Sequence, residues 1–439
     1  MIAIIQPSVI KGSVQAAASK SSMQRACAAA LIRPGITLLS NPGSSNDDLA
    51  SLDVIAKLGA IITKLPDGRL KIESKGVHPV TDQLNCGESG LGIRMFTPVM
   101  ALSAQQLRVT GTGSLLSRPM DFFDEIFPLL GIHIATNNGK LPFTIRGPLK
   151  PADITIDGSL SSQFLTGLLM AYAGAKASNV TITVRDLKSR PYIDLTLQVM
   201  KAFGLPLPVN RQYEAFYFAA HDAPSSIAEG SPLSYAVEGD WSGAAFLLVA
   251  GAIAGSVEVK GIMNTSTQAD KKVVDALLDA GAHVQVSDDK VSVHRNKLEA
   301  FSFDATDCPD LFPPLVALAA HCNGITRIRG LKRLKHKESD RGATLREEFD
   351  KLSIRIDLND DEMLVYGNGG VFVKNHILNS HHDHRIAMAC AVTCLRADFY
   401  AEIRHAEAVN KSYPGFFDHI KSLGADVTVQ EGSLNANKM

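Results

Sequence analysis

The sequence LDAGAHVQVSDDKVSVH, from Leu278 to His294, decides the fold. Gly281 suits the left-handed position that closes a helix, and the alternation of apolar and polar residues from Ala282 onward predicts a half-buried strand. The residues from Ser287 to Asp289 predict a turn before the alternation resumes. One structural unit therefore consists of a helix, a strand, a turn and a second strand.

The same helix end recurs along the chain at a spacing of roughly 70 to 77 residues. Its six occurrences are Leu58-Gly59-Ala60, Leu130-Gly131-Ile132, Phe203-Gly204-Leu205, Ala280-Gly281-Ala282, Leu352-Ser353-Ile354 and Leu423-Gly424-Ala425. A repeat of this kind predicts six copies of one structural unit.

A second landmark keeps the same period: a polar cluster stands directly before a helix rich in Ala and Leu. The clusters are Ser19 to Ser22, Glu88 to Gly90, Ser159 to Ser162, Glu238 to Asp240, Asp307 to Asp310 and Ser380 to His384. Helix capping alone explains any one of them, since helix N-termini carry unpaired N–H groups. Several also carry charged side chains that a cap does not need, which points to a shared anion site.

Bulk composition excludes several classes of protein. The chain has 439 residues, 45% of them hydrophobic and 20% charged, as expected of a globular protein with two domains. The chain has 44 Lys and Arg against 45 Asp and Glu. It therefore has no large net charge that would attract it to nucleic acid or to a membrane surface. The six cysteines lack metal-ligand spacing and predict reduced core residues. We expect a cytoplasmic protein without signal peptide or membrane span.

Six units divide most simply into two domains of three, each with buried helices surrounded by sheets. The stretch from Asp222 to Pro232 has the composition of a linker.

Five ordered motifs point to one family. They are Ser19-Lys20-Ser21 with Arg25, the stretch from Asp157 to Thr166, the stretch from Ser189 to Asp194, Lys337-Glu338-Ser339-Asp340-Arg341, and Asp383-His384-Arg385 with Ala387-Met388-Ala389. This set resembles the 5-enolpyruvylshikimate-3-phosphate synthases, in register from about Lys11 to Phe417.

The resemblance implies an α/β fold of two inside-out α/β barrel domains, each with three pseudo-repeats of about 70 residues. One domain would cover residues 19–228 and clamp the substrate, and the other residues 1–18 with 229–439, with two crossover segments as the hinge. It also implies a monomer that needs no cofactor or metal.

The resemblance further implies two phosphorylated carboxylic acids as substrates, which require Lys, Arg, hydroxyl groups and helix N-termini. Shikimate 3-phosphate would be bound by Lys20, Ser21, Arg25, Ser161, Ser162, Gln163, Ser189, Asp310, Arg333 and Lys337. Phosphoenolpyruvate would be bound by Lys20, Gly90, Arg94, Gln163, Arg341, Arg385 and Lys411.

The family's reaction is an addition followed by an elimination, as a step towards chorismate and the aromatic amino acids. The 5-hydroxyl of shikimate 3-phosphate adds to C2 of phosphoenolpyruvate while C3 gains a proton, and phosphate later leaves as C3 loses one. The resemblance gives Asp310 the role of deprotonating the 5-hydroxyl. Glu338 and Lys20 are the candidates for proton transfer at C3.

Each of these assignments has a simpler alternative. The charged run around Lys337 is typical of a solvated helix start, and Asp310 has the features of a helix cap. Asp240 is interpreted as structural. The run from His381 to His384 is rich in metal-ligand types, but adjacent side chains point in different directions and Arg385 would repel a cation. We therefore predict no metal there, and interpret Asp383 as an orienting partner for the helix start and for Arg385.

Four positions depart from the family pattern. Ala17-Ala18 replace the usual Pro-Gly, the stretch from Glu88 to Leu91 replaces Asn-Ala-Gly-Thr, and Arg333 replaces an Asn. Ser114 stands where most relatives have an Arg, within a pattern that runs from Gly111 to Pro119 and retains Arg118. Arg118 could supply the missing charge only if the loop is reshaped, since in an extended chain it lies up to about 13 Å from Ser114.

Two other functions remain as alternatives. The sister transferase that acts on UDP-N-acetylglucosamine usually has a catalytic Cys in the second repeat, where this chain has Thr112 to Arg118 and no Cys. A noncatalytic phosphate-ligand binding protein with the same repeats would be expected to lose Asp310 or Glu338.

Overall fold

The structure is a computed structural model that describes residues 1–159, 161–220, 232–335 and 337–431. The chain divides into two compact units. The terminal unit consists of Met1–Ala17 and Gly239–Met439, and the internal unit consists of Ala18–Glu238. The chain thus passes into the internal unit after Ala17 and returns to the terminal unit at Gly239.

The α-helices of the internal unit are α1 (Lys20–Ile32), α2 (Asn46–Lys57), α3 (Gly90–Met100), α4 (Asp121–Ile126), α5 (Ser162–Gly174) and α6 (Arg190–Ala202). Those of the terminal unit are α7 (Trp241–Ala254), α8 (Val273–Asp279), α9 (Phe312–Ala320), α10 (Arg341–Asp350), α11 (His384–Cys394) and α12 (Phe416–Ser422).

The strands begin in the terminal unit with β1 (Ile2–Ile5) and β2 (Ile10–Gln15). The internal unit follows with β3 (Gly35–Ser40), β4 (Ile61–Lys64), β5 (Leu70–Ser74), β6 (Gln83–Asn85), β7 (Gln106–Thr110), β8 (His133–Ala135), β9 (Phe143–Arg146), β10 (Ile154–Asp157), β11 (Val180–Arg185), β12 (Val209–Arg211), β13 (Ala215–Phe218) and β14 (Leu233–Ala236). The terminal unit resumes with β15 (Gly255–Lys260), β16 (His283–Val286), β17 (Lys290–His294), β18 (Ser302–Asp304), β19 (Asn323–Arg329), β20 (Arg355–Asn359), β21 (Glu362–Asn368), β22 (Ile377–Asn379), β23 (Ala401–Arg404) and β24 (Val427–Gln430).

Each unit contains three four-stranded sheets of similar topology. In the internal unit the strand orders are β14-β3-β5-β4, β6-β7-β9-β8 and β10-β11-β13-β12. In the terminal unit they are β16-β17-β15-β2, β18-β19-β21-β20 and β22-β23-β1-β24. The stretch from Leu278 to His294 contains the antiparallel pair β16 and β17, with Val284 opposite Val293 and with a turn at the predicted place.

Hydrophobicity decides which helices are buried. Every residue of α3, α9 and α11 is buried, and so is all of α7 except Ser242. Helices that are apolar on all sides need apolar neighbours on all sides, whereas amphipathic helices such as α6 bury only one face. The buried helices contact one another within each unit, α3 with α5 and α9 with α11. Each unit therefore contains buried helices and three sheets.

All six helix-end landmarks adopt the left-handed backbone conformation. The φ angles are 106° at Gly59, 71° at Gly131, 65° at Gly204, 86° at Gly281, 61° at Ser353 and 100° at Gly424. Ser353, the one position of the six without Gly, donates its hydroxyl to the carbonyl of Phe372 at 2.7 Å. The repeat derived from the sequence is thus confirmed at each position.

Five of the six polar clusters cap a buried helix with a side chain. Ser19, Ser89, Ser161, Asp240 and Asp383 accept hydrogen bonds from the first turns of α1, α3, α5, α7 and α11. Asp240 is the structural cap that the sequence predicted. No side-chain cap is formed at the start of α9, so Asp310 is available for another role.

The boundaries between the units differ from those suggested by the sequence. The second boundary lies between residues 238 and 239 instead of between 228 and 229. The reason is that β14 pairs in parallel with β3 and so belongs to the internal unit. The first boundary lies between residues 17 and 18 instead of between 18 and 19. The predicted linker from Asp222 to Pro232 lies outside the described residues except for Pro232.

The glycine at the first landmark is expected to be far less replaceable than the one at the second. A Cβ on Gly59 would lie 2.4 Å from the backbone oxygen of His78, whereas a Cβ on Gly131 would meet only the side chain of Lys150, at 3.5 Å. Gly131→Ala should cost about 1–2 kcal/mol of backbone strain, and Gly59→Ala should cost that strain and the steric clash as well. Denaturant midpoints of the two variants measure the difference, and equal midpoints would contradict this account of the helix end.

All six cysteines are buried and free, as predicted, and burial raises the pKa of the Cys86 thiol to about 12. Among the residues that the structure describes, no helix has both the length and the apolar character needed to cross a bilayer.

Candidate active site

Side-chain hydrogen bonds tie together the N-terminal halves of the three buried helices of the internal unit. The bonds run from Ser89 Oγ to Gln24 Oε1 (3.2 Å), from Arg94 Nη1 to Gln163 Oε1 (2.9 Å) and from Arg25 Nη2 to Thr166 Oγ1 (3.5 Å). They link α1 to α3, α3 to α5, and α1 to α5. Because helix N-termini carry partial positive charge, their convergence favours an anion.

Arg25 lies within this group and is almost completely buried. Its Nε donates to Thr196 Oγ1 at 2.9 Å, its Nη1 to the Ser21 carbonyl at 2.8 Å, and its Nη2 to the Tyr192 carbonyl at 3.2 Å. Burial lowers the pKa of Arg25 to about 10. Its partners are carbonyls and hydroxyls, so its charge adds to the positive potential of the helix starts.

Lys20 begins α1 and forms an ion pair with a carboxylate of α2. Its Nζ lies 2.9 Å from Oδ2 of Asp47, which is 3% exposed. Asp47 was not among the site residues predicted from the sequence. The acidic residues that follow Ser45, one of which completes a capping box, were the available signal.

Arg94 and Arg118 both approach the start of α3. The position that a Cβ on Gly90 would occupy is 2.4 Å from Arg118 Nη1 and 3.7 Å from Arg94 Nη1. Any other residue at position 90 would displace a guanidinium group. Arg94 also lies over the ring of Phe164, 5.1 Å from its centroid. Gly90 therefore makes room for two neighbouring cations.

The loop before Arg118 is compact rather than extended. Gly113–Ser117 form a 3-10 helix, and Arg118 Nη2 donates to Ser114 Oγ at 3.5 Å. The extended-chain distance therefore does not apply, and Arg118 lies beside the position at which the family's Arg is missing.

The remaining residues assigned to the internal unit lie at helix starts. Ser161 caps α5 and Ser162 begins it, while Leu160 lies outside the described residues. Ser189 precedes α6 with φ 58° and is buried.

In the terminal unit, Arg341 binds three carboxylates. Its Nη1 is 2.8 Å from Asp310 Oδ1, its Nη2 is 2.6 Å from Glu338 Oε2, and its Nε is 2.8 Å from Asp383 Oδ2. Arg341 is 1% exposed and begins α10. Burial alone would lower its pKa, but the three carboxylates outweigh burial and raise it.

Three further cations surround these carboxylates. Lys337 Nζ lies 3.2 Å from Asp310 Oδ1, Arg385 Nη2 lies 3.2 Å from Asp310 Oδ2, and Lys411 Nζ lies 3.6 Å from Glu338 Oε1. Burial lowers the pKa of Lys337, more than the charge of Asp310 raises it. These cations, Arg341 and the carboxylates Asp310, Glu338 and Asp383 form the terminal-unit cluster, so cations outnumber carboxylates in it.

The charge environment of Asp310 is decisive for its chemistry. Burial, the largest influence, would raise the pKa of Asp310, but Arg385, Lys337 and Arg341 together hold it well below its usual range. Asp310 is therefore ionised at neutral pH and shared among three cations. Arg333 lies in the 3-10 helix Leu331–Leu334, and its charge contributes to the lowered pKa of Lys337.

Asp383 differs in part from its predicted role. It caps α11 by accepting a hydrogen bond from the Arg385 backbone N–H at 3.0 Å, as expected. Its side-chain partners, however, are the guanidinium of Arg341 and the hydroxyl of Ser339, whereas the guanidinium of Arg385 binds Asp310. The reason is that Arg341, at the start of α10, occupies the space beside the cap.

Asp270 is a further acidic residue that the sequence analysis missed. It accepts a hydrogen bond from Ser242 at the start of α7. Burial, followed by the charge of Asp310, raises the pKa of Asp270 to about 7. It lies far from the motifs in sequence, so no local signal marked it.

The chain is similar to known proteins over nearly its whole length. The profile of the family EPSP synthase (3-phosphoshikimate 1-carboxyvinyltransferase) matches residues 4–420. The chain is 35% identical over 431 residues to a 3-phosphoshikimate 1-carboxyvinyltransferase of Aeropyrum pernix, covering 98% of this chain and 97% of the relative. A relative of the same name from Clostridium novyi is 31% identical over 429 residues, with 96% and 97% covered.

Among solved structures, EPSP synthase from Acinetobacter baumannii is similar with a TM-score of 0.78 and 24% identity, over 98% of this chain and 100% of that one. At this identity the likeness shows the shared mixed α/β fold.

Proposed function

The chain belongs to the EPSP synthase (3-phosphoshikimate 1-carboxyvinyltransferase) family, a family of transferases, and we propose how its residues perform that reaction. The enzyme transfers the enolpyruvyl group of phosphoenolpyruvate to the 5-hydroxyl of shikimate 3-phosphate and releases phosphate. The observation that carries the proposal is the terminal-unit cluster, in which Arg341 binds Asp310, Glu338 and Asp383 while Lys337, Arg385 and Lys411 surround them.

The substrates explain why so many cations are present. Each substrate carries a phosphate and a carboxylate, and buried anions need charged or hydrogen-bonding partners. We assign shikimate 3-phosphate to Lys20, Ser21, Arg25, Ser161, Ser162, Gln163, Ser189, Asp310, Arg333 and Lys337. We assign phosphoenolpyruvate to Lys20, Gly90, Arg94, Gln163, Arg341, Arg385 and Lys411, and we add Arg118 because it lies beside Gly90.

We assign Asp310 as the base for the 5-hydroxyl. In the structure Asp310 is a weak base, because three cations hold its pKa low. Substrate phosphate and carboxylate groups compete for Arg385 and Lys337, and each cation drawn away raises the basicity of Asp310. Binding of the anions thereby prepares Asp310 to accept the proton.

The proton at C3 of phosphoenolpyruvate needs a group that first donates and then accepts. We propose Lys20 and Glu338 for this role. Both are held by ion pairs, Lys20 with Asp47 and Glu338 with Arg341 and Lys411, which fix the positions of their side chains.

Arg118→Ala is expected to raise the KM for phosphoenolpyruvate by roughly tenfold or more, equivalent to about 1.4 kcal/mol. The reason is the loss of a charge-assisted contact next to Gly90. Ser114→Arg is expected to change this KM little, because Arg118 already provides the charge. Steady-state kinetics of both variants measure the effect, and an unchanged KM in Arg118→Ala would remove Arg118 from the site.

Phosphate release tests the proposed function. We expect release that requires phosphoenolpyruvate and shikimate 3-phosphate together. Release with UDP-N-acetylglucosamine in place of shikimate 3-phosphate would identify the sister transferase. Binding of both ligands without release would identify a noncatalytic binding protein.

We further propose that the three sheets and buried helices of each unit form an inside-out α/β barrel. We also propose that the enzyme acts as a monomer in the cytoplasm.

A further inference from the structure

Two histidines and a glutamate meet in the terminal unit, at residues to which the proposed reaction assigns no role. His382, His405 and Glu407 each offer one ligand atom, and these atoms lie within 4.8 Å of one another. The two imidazole rings have centroids 4.1 Å apart, and His405 Nδ1 lies 3.6 Å from Glu407 Oε1. Imidazole nitrogens with one carboxylate oxygen are a common donor set for zinc and its neighbours.

The backbone fixes the two histidines with respect to each other. Both have left-handed φ angles, 57° at His382 and 55° at His405. Ser380 connects them, since its Oγ donates to the His405 carbonyl at 2.9 Å and accepts from the His382 N–H at 3.1 Å. The two turns that carry the histidines are therefore held together before any ion binds.

Glu407 presents one oxygen to the histidines and the other to a cation of the protein. Its Oε2 lies 2.8 Å from the amino group of Met1, while Oε1 faces His405. The contact with this amino group therefore orients the carboxylate with Oε1 towards His405.

The spacing agrees with tetrahedral coordination. Ligand atoms about 2.0–2.1 Å from a tetrahedral ion are about 3.3 Å apart. The separation of 3.6 Å between His405 Nδ1 and Glu407 Oε1 is close to this value, and the ligand atom of His382 lies within 4.8 Å of the other two. We propose that His382, His405 and Glu407 form a binding site for one divalent transition-metal ion of the zinc class, with water in the fourth position.

A neighbouring group of similar composition provides the contrast. Glu347, Glu348 and His381 also lie within reach of one another. However, the ammonium of Lys351 is 2.8 Å and 2.9 Å from the two oxygens of Glu348. A cation of the protein already occupies that group. In the run from His381 to His384, only His382 belongs to the proposed site. This differs from the prediction of no metal at that run, because the other two ligands, His405 and Glu407, come from a later segment of the chain.

The site lies next to the catalytic machinery in sequence without sharing a residue with it. His382 immediately precedes Asp383, which binds Arg341 and caps α11. A bound ion would hold the turn from Ser380 to Asp383 in place and would stabilise the folded protein.

Cobalt(II) binding tests the proposal, because a tetrahedral Co²⁺ ion with nitrogen ligands has strong visible absorption bands. Chelator-treated protein without an affinity tag is titrated with CoCl₂ and then with ZnCl₂. We expect one Co²⁺ per chain, displaced by Zn²⁺. His382→Ala and His405→Ala should each weaken binding by at least roughly tenfold, and Glu407→Gln should weaken it too. His381→Ala, the matched control, should bind as the unmodified protein does.

A second measurement covers variants that fold poorly. Zn²⁺ should raise the Tm of the unmodified protein and of His381→Ala, and should leave the Tm of His382→Ala and His405→Ala unchanged. The proposal is overturned if no tetrahedral band forms, if the band and the Tm shift survive in His382→Ala and His405→Ala, or if His381→Ala abolishes them.

Discussion

Asp310→Asn is expected to lower kcat by roughly 10²–10⁴-fold, the usual contribution of a general base. Asn keeps the shape of the side chain and can still bind the 5-hydroxyl, but it cannot accept its proton. The same change frees Lys337, Arg341 and Arg385 from a competing carboxylate. The KM for phosphoenolpyruvate should therefore stay the same or fall, which separates the loss of a base from the loss of a binding residue.

Asp304→Asn is the matched control for this experiment. Asp304 precedes the same helix, but it is exposed and its ion pair with Arg329 is 3.8 Å long. We expect wild-type kinetics for the control. A kcat of Asp310→Asn within about threefold of wild type, or a raised KM with unchanged kcat, would contradict the role of base.

Lys20→Met is expected to fold and to lose nearly all turnover. Lys20 is proposed both to bind the substrate anions and to transfer a proton at C3. Removing a hydrogen bond to a charged group costs about 1.5–3 kcal/mol, and removing an acid or base costs roughly a further 10²–10⁴-fold. Both kcat and KM should therefore change, as measured by steady-state kinetics.

Lys57→Met serves as the control because it breaks an ion pair of similar length in the same unit. Lys57 Nζ lies 2.7 Å from Asp53 Oδ2, and the two side chains are 35% and 49% exposed, whereas the side chains of Lys20 and Asp47 are only 16% and 4% exposed. Exposed pairs contribute about 0–1 kcal/mol, so the control should keep full activity. An effect of Lys20→Met on KM alone would leave Lys20 as a binding residue only.

The sequence predicted the repeat because the helix end has a strict local requirement. A left-handed residue after a helix is a property of a few neighbouring residues, and all six landmarks adopt it. The boundary between the units was harder to predict from the sequence. It depends on β14, a four-residue strand that pairs with β3 from the start of the internal unit, and nothing in the local sequence of Leu233–Ala236 indicates that partner.

In the site, too, contacts within one helix could be predicted from the sequence, whereas contacts between residues distant in sequence could not. Capping by Ser19, Ser89 and Asp383 could be predicted, since a cap acts on its own helix. The partner of Asp383 could not, because Arg341 reaches it from a different helix. Asp270 was likewise missed, because its raised pKa is caused by burial and by Asp310, which is distant in sequence.

The most direct test of the account is mass spectrometry of the products formed in D₂O from phosphoenolpyruvate and shikimate 3-phosphate. Addition followed by elimination makes C3 briefly a methyl group with one solvent deuteron. We therefore predict one enolpyruvyl ether of shikimate 3-phosphate for each phosphate released, with deuterium in its vinyl CH₂ group. Phosphate released together with free pyruvate, or an enolpyruvyl product formed only with UDP-N-acetylglucosamine, would contradict the account.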